Sequence, residues 1–321
     1  MKVLLVTNMY PSEESPYYGI FVKEQENAVS KVFPDVDYTV CFIDGRKGLK
    51  EYLKSISAIH RLLDENDYDL IHIHYGFAGL FLFKRLKKKI PVLVTLHGGD
   101  IQIEQKKYIQ VFTDKLILKR ADAAITLNDR MDSIVKKYVD NTFIIPCSVD
   151  TELFVPAVSE KETVPVKNIV FPSDRTRYVK NYPLFESVIS VLKSKYGIDS
   201  RIFEIKNMSR TEIANLLQKS DLMIMTSFSE GSPQVVKEAM SCNLPVVSTN
   251  VGDVSVLLDN VAGSAVVSEM DAELIAEAAY KSLGGHFSGI SGRDKIKQLG
   301  LDNNSTAESV YRVYSHLINN R

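Results

Sequence analysis

Short runs rich in β-branched and aliphatic residues alternate along the chain with longer stretches whose apolar positions recur at helical spacing. In the first half the runs Val3–Thr7, Tyr38–Ile43, Leu70–His74, Val92–His97, Ala123–Leu127 and Phe143–Pro146 each predict a strand. The intervening patterns Phe21–Val32, Leu49–Leu63 and Arg130–Tyr138 predict helices. Strands apolar on both faces and separated by helices predict a parallel sheet with right-handed crossovers. Periodicity lapses over residues 155–167, which hold two prolines and several charges and read as a linker. It resumes with strand runs Ile169–Pro172, Arg201–Ile205, Leu222–Thr226, Val246–Thr249 and Ser264–Val267, and with helical patterns Arg210–Lys219, Gln234–Cys242 and Asp271–Leu283. The expectation is two doubly wound, Rossmann-like α/β domains, 1–157 and 158–304, facing a cleft, with a last helix over 305–321 packing back on the first domain. Ligands of such sheets bind beyond the carboxyl ends of the strands.

Length and composition narrow the class. The chain has 321 residues, 45% of them apolar and 25% charged, the balance of a water-soluble globular protein. Basic and acidic residues number 39 and 40, so net charge gives no argument for nucleic acid as a partner. Cys41, Cys147 and Cys242 lie far apart and lack metal-ligand spacing, which predicts reduced thiols and a cytoplasmic setting. The apolar start of MKVLLVTNMYP is too short for a signal peptide, and no run approaches the roughly 20 apolar residues of a membrane span.

The chemistry concentrates in residues 229–240, SEGSPQVVKEAM. The loop after strand Leu222–Thr226 carries Glu230. Ser232 is a good N-cap, Pro233 suits the first helical position, and Asn243 with Pro245 ends the helix. Side chains on a helix lean toward its N-terminus, so Glu238 should point back at the loop that carries Glu230. The free amides of Gln234, Val235 and Val236 make an anion site at the same end, able to receive a diphosphate. Carboxylates would repel a phosphate but accept from sugar hydroxyls, one on the ribose and one on a second sugar. The bland alternative is a pair of solvated glutamates near a helix start.

Glu230-Gly231-Ser232-Pro233 through Glu238-Ala239-Met240, followed by Leu244-Pro245-Val246-Val247, resembles the E-x7-E region of the retaining glycosyltransferases of family 4, whose fold is GT-B. The resemblance extends to Asp69–His74, Thr95-Leu96-His97-Gly98, Pro146–Asp150, and the segment from Asp174-Arg175 to Lys180-Asn181. It implies that Glu230 lies at the donor sugar, that Glu238 binds the nucleotide ribose, and that Arg175 and Lys180 neutralise the diphosphate, with Arg177 a competitor for the arginine role. It implies that His97 contacts the donor sugar, where the bland alternative is a histidine satisfied at a strand end. Gly231, Ser232, Gln234, Val235 and Gly19 complete the expected donor contacts. The sequence departs from the family where Asp174 replaces a glycine, where the glycine-rich loop after the first strand shrinks to Gly19, and where Asp253 replaces a second glycine after Gly252.

The expected reaction moves a sugar from a UDP- or GDP-linked donor to a hydroxyl of a glycan or lipid-linked acceptor, with retention and in cell-surface polysaccharide or glycolipid synthesis. No cofactor and no metal are expected: the pairs Asp35/Asp37 and Asp67/Asp69 precede strands, at the wrong end for the site, and read as turn residues. His72 and His74 share a strand and are expected to be structural or acceptor-side. The basic run Phe81–Lys89 has two readings: a peripheral contact of Lys84–Lys89 with anionic lipid at the inner face of the membrane, or a helix whose C-terminal end carries cations. A nicotinamide oxidoreductase would need Gly-x-Gly-x-x-Gly after a strand, and the loop NMYPSEESPYYG lacks it. A catalytically degenerate binding subunit is the remaining alternative.

Overall fold

The computed structural model describes residues 1–101, 108–158, 165–285 and 288–320. The chain divides into two units: Met1–Cys147 with Asn303–Arg321, and Ser148–Asp302.

The first unit contains β1 (Lys2–Thr7), α1 (Ile20–Val32), β2 (Asp37–Phe42), α2 (Leu49–Glu65), β3 (Leu70–His74), β4 (Val92–Thr95), α3 (Tyr108–Leu118), β5 (Ala123–Thr126), α4 (Asp129–Val135) and β6 (Thr142–Ile144). Its strands form one sheet in the order β2-β1-β3-β4-β5-β6, every neighbouring pair parallel. Alternation along each strand divides the core. Leu4, Val6, Ile71, Ile73, Val92 and Val94 pack with α2, α3 and α4 through Ile59, Ile117 and Met131.

The second unit contains β7 (Lys167–Phe171), α5 (Tyr182–Tyr196), β8 (Ser200–Glu204), α6 (Arg210–Lys219), β9 (Leu222–Met225), α7 (Gln234–Ser241), β10 (Val246–Thr249), α8 (Val254–Leu257), β11 (Ala265–Val267), α9 (Ala272–Leu283) and α10 (Gly292–Gln298). Its sheet runs β11-β10-β9-β7-β8, again all parallel. Val170, Met223, Met225 and Val246 meet α6 and α7 on one face, and Ile169, Phe171, Leu222 and Ile224 meet α5 and α9 on the other. The chain then returns to the first unit as α11 (Asn303–Asn319). On the face of the first sheet opposite α2, α3 and α4, residues Val3, Leu70, Leu93 and Ala123 pack with α1 and α11 through Val29, Val310 and Tyr314.

Every strand expected from the pattern is present, shifted at its ends by a residue or two. Two expectations change. The division falls at Cys147/Ser148, ahead of residue 157, because Val149 bridges to Asp302 and Phe154 is fully buried in the second unit's core. The expected linker lies partly outside the described residues, as do residues 102–107. No helix carries cations to Lys89: a 3-10 stretch, Gly76–Phe83, ends in extended backbone at Lys84, and Lys87 and Lys88 pair with Asp64 (2.6 Å) and Asp67 (2.7 Å). Asp69, for its part, accepts from the Lys2 amide at 2.8 Å. No helix is long and apolar enough to cross a membrane among the described residues.

In each sheet the chain reverses its direction of winding at one pair of strands, β1/β3 in the first unit and β7/β9 in the second. The helices that follow β7 and β9, α7 after β9 and α5 after β7, pack on opposite faces of their sheet, and ligands of such sheets bind at the carboxyl edge of a pair of this kind. Gly19 closes the loop after β1 as the N-cap of α1, at φ 68°. A Cβ there would lie 2.2 Å from the Met9 carbonyl carbon. Gly19→Ala should therefore lower stability by about 2 kcal/mol or more. Gly197→Ala, at the C-cap of α5 with the same φ of 68° and nothing within 4 Å of its Cβ, should cost about 1 kcal/mol. Urea unfolding of the two variants measures the difference.

Candidate active site

In the second unit, β7 and β9 flank the reversal, so the segment 172–181 and the loop 226–233 emerge side by side. Backbone and hydroxyl bonds lock them together. The Thr226 hydroxyl donates to the Lys180 and Asn181 carbonyls at 3.1 and 3.0 Å, and the Phe228 amide donates to the Val179 carbonyl at 2.8 Å. Asn181 takes φ 50°, a left-handed turn that asparagine tolerates, and α5 starts directly after it. This brings two expected residues into contact: Lys180 Nζ lies 2.6 Å from Glu230 Oε1, and Ser227 Oγ donates to the same oxygen at 2.7 Å. Side-chain exposure is 9% for Lys180 and 15% for Glu230, so the pair is largely out of water.

Glu238 is more deeply placed. Its residue is 2% exposed, and Oε1 receives Arg210 Nη1 at 2.6 Å. The Arg210 guanidinium also lies over the Phe154 ring, 4.7 Å from its centroid. Arg210 escaped the sequence reading. It opens α6 inside the capping box that Ser209 and Glu212 form. A cation there opposes the helix dipole, and that was the available sign that its charge answers something outside its own helix.

Other expected residues stand elsewhere. The Arg175 guanidinium pairs with Glu204 at 2.7 Å and lies over Tyr182, with its side chain 53% exposed. The Arg175–Glu204 contact holds the arginine's pKa above its ordinary value. Asp174, the acid in place of the family glycine, is tied to Lys206 at 2.8 Å and to the Thr176 amide and hydroxyl, which hold its pKa well below the usual carboxylate range. Arg177 is exposed and reaches the Ser173 hydroxyl at 3.5 Å.

The helix start also differs from expectation. Pro233, at φ −68° and ψ 112°, occupies the N-cap position and Gln234 is the first helical residue, with no side-chain cap. Ser232 is not free to cap, because its hydroxyl donates to Asp253 Oδ2 at 2.6 Å and receives Lys237 Nζ at 3.0 Å. The Val236 amide is taken by the Pro233 carbonyl at 3.1 Å, which leaves the amides of Gln234 and Val235 as the expected anion donors. The Gln234 side chain donates to the Ser148 carbonyl. Residues 236–241 are all buried, polar ones included.

In the first unit, His97 follows β4. Its amide donates to the Asp100 carboxylate at 2.9–3.0 Å, and its ring packs against Phe21, Tyr75 and His74, with centroids 4.8, 4.5 and 5.3 Å away. His97 Nε2 lies 3.0 Å from His74 Nδ1, and Nδ1 lies 3.9 Å from Cys147 Sγ. Burial pushes His74 down to about 3, so its imidazole is neutral at physiological pH. His72, lowered for the same reason and further by the two other histidines, is held between Tyr314 Oη and Thr95 Oγ1, both at 2.7 Å.

The chain is similar in sequence and in fold to known proteins. Residues 5–153 match the family described as Glycosyltransferase Family 4, and residues 185–284 match Glycosyl transferases group 1. A UDP-Gal:alpha-D-GlcNAc-diphosphoundecaprenol alpha-1,3-galactosyltransferase of Escherichia coli is 25% identical over 249 residues, 65% of this chain and 64% of that protein. The putative teichuronic acid biosynthesis glycosyltransferase TuaC of Bacillus subtilis is 22% identical over 327 residues, 80% of this chain and 83% of that protein. The chain thus spans a little under two thirds of the first relative. In fold it is similar to sucrose-phosphate synthase from Thermosynechococcus elongatus, with a TM-score of 0.78 at 17% identity over 100% of this chain and 99% of the other. It is also similar to Anabaena HepE solved in complex with UDP, with a TM-score of 0.70 at 14% identity over 99% of this chain and 100% of the other.

The two arginines separate by burial. Arg210→Ala strands the Glu238 carboxylate and should lower stability by about 3 kcal/mol. The double change Arg210→Ala/Glu238→Gln should recover part of that loss. Arg175→Ala, whose ion pair is exposed, should leave stability nearly unchanged. Chemical denaturation of the three variants reads the contrast.

Proposed function

The chain belongs to the family 4 glycosyltransferases of GT-B fold, and from that premise we propose that it moves a hexose from a UDP- or GDP-linked donor to an acceptor hydroxyl with retention of configuration, in the assembly of a surface glycan. The observation that carries this reading is the pairing of Glu230 with Lys180 and of Glu238 with Arg210 at the opening of α7. A carboxylate held by one cation keeps further lone pairs for hydroxyl donors. Glu238 takes the ribose hydroxyls and Glu230 the transferred sugar. The diphosphate rests on the amides of Gln234 and Val235 with Lys180 beside it. The names of the relatives support the donor and acceptor classes: one uses UDP-Gal and a diphosphoundecaprenol-linked sugar, another belongs to teichuronic acid synthesis. A lipid-linked acceptor accords with the exposed cations Lys84, Arg85 and Lys89, which offer a contact for anionic headgroups.

As the glycosidic bond breaks, negative charge collects on the diphosphate and positive charge on the sugar ring. Lys180 and the α7 amides offset the first, an electrostatic contribution that often dominates such catalysis. The acceptor attacks from the face the diphosphate leaves, and a departing phosphate oxygen takes its proton. The reaction as proposed uses no divalent metal: Lys180 already answers the charge of Glu230, and Arg210 that of Glu238.

Transfer assayed with UDP- and GDP-sugars should survive excess EDTA, and Lys180→Ala should slow it by about a hundred-fold. Arg175→Ala, with its guanidinium drawn to Glu204, should have a smaller effect. Activity abolished by EDTA and restored by magnesium or manganese would overturn the metal-free reading. Hydrolysis without transfer, or binding without turnover, would favour the degenerate binding subunit.

A further inference from the structure

Lys237, directly before Glu238, is fully buried, and Asp253 is 9% exposed at the start of α8. Neither is needed for the donor contacts proposed above. Their charges meet through one hydroxyl: Lys237 Nζ donates to Ser232 Oγ at 3.0 Å, and Ser232 Oγ donates to Asp253 Oδ2 at 2.6 Å. Asp253 Oδ1 is buried with no hydrogen-bond partner among the described residues. Burial pushes the Asp253 carboxyl up, while Lys237 and the Ser232 hydroxyl oppose that shift. Buried charge pairs are poor stabilisers, since desolvation offsets most of their attraction. Three polar side chains in this position therefore ask for another reason.

The backbone supplies one. Gly252, at φ +60°, brings the loop between β10 and α8 against the Glu230 loop so closely that a Cβ would lie 2.4 Å from the Gly231 carbonyl oxygen and 3.2 Å from that of Glu230. The two loops touch backbone to backbone at Gly252, and in the next residue the side chain of Asp253 grips Ser232. Ser232 in turn lies between Gly231 and Pro233, directly ahead of the amides of Gln234 and Val235. Lys237, one turn into α7, ties the same hydroxyl to the helix body. The path of residues 230–233 is thus fixed from outside the loop and from inside the helix at one atom.

We propose that Lys237, Ser232 and Asp253 are positioning residues: a buried brace, Lys237 Nζ to Ser232 Oγ to Asp253, that holds the first amides of α7 in place for the donor's diphosphate. This rests on the functional reading above. Ser232, one of the expected donor contacts, has its hydroxyl engaged within the brace instead. The brace acts on the phosphate-binding backbone and not on Glu238, which Arg210 holds independently from α6. Loss of the brace should therefore weaken binding of the diphosphate and spare the nucleoside.

Ser232→Ala removes the shared hydroxyl and keeps both charges. Ser232→Thr restores a hydroxyl, and Asp253→Asn/Lys237→Met removes both charges together, so that neither is stranded. Affinity for UDP or GDP, whichever the wild type binds, is measured by calorimetry. Affinity for the matching nucleoside is measured by ligand-detected NMR, beside thermal melting. Ser232→Ala and the double variant should each weaken nucleoside diphosphate binding about ten-fold and leave nucleoside binding unchanged, with Ser232→Thr recovering most of the loss. In transfer assays the loss should fall on donor KM with acceptor KM unaltered. Equal weakening of nucleoside and diphosphate would reduce the brace to general packing and overturn the proposal, as would variants that bind the diphosphate like wild type. A wild type that binds neither diphosphate would instead overturn the functional reading on which the brace rests.

Discussion

Two glutamates with little access to water each face a cation at 2.6 Å, and the candidate site depends on that pairing. A carboxylate withdrawn from solvent is costly unless its charge is answered, and removal of the answering group leaves the cost standing. Lys180 and Arg210 therefore fix where Glu230 and Glu238 can be. Each cation has a carboxylate to hold and each carboxylate keeps acceptor capacity, so the pairs present oriented lone pairs at the start of a buried helix.

The topology of the second sheet delivers these groups. Reversal between β7 and β9 sends the segment 172–181 and the loop 226–233 out together, which is why Lys180 and Glu230 meet although 50 positions separate them. Arg210 arrives from α6 on the face that carries α7, and Asp253 from the turn after β10. Four loops or helix starts at one carboxyl edge thus converge on the opening of α7. The Lys237–Ser232–Asp253 contacts extend the same principle, because they bind that opening to its neighbour at a point where the backbones already touch.

What the sequence revealed follows from the range of the signal. Strands such as Val3–Thr7 and Leu222–Thr226 announce themselves because buried parallel strands need unbroken apolar runs, and that need is local. The E-x7-E spacing and Lys180 were legible for the same reason. Partners were not. Arg175 fits its motif, yet Glu204 in the adjacent strand β8 claims it, and the capping box masks Arg210 as an ordinary helix start. Ser232 reads as an N-cap by type, and only the packing of Gly252 against Gly231 shows why its hydroxyl goes to Asp253. Side-chain pairing across elements leaves no period to detect, so a motif could be read within one segment while its partners in another could not.

The central claim is that Glu238 reads the ribose of the donor nucleotide. Calorimetry with the nucleoside diphosphate and its 2′,3′-dideoxy analogue, on wild type and on Glu238→Gln, tests it as a cycle. The account predicts that wild type loses about ten-fold or more when the hydroxyls are removed, and that Glu238→Gln, already weakened on the natural ligand, discriminates far less between the two. Equal discrimination by both proteins would mean that the ribose hydroxyls meet some other group, and would contradict the assignment.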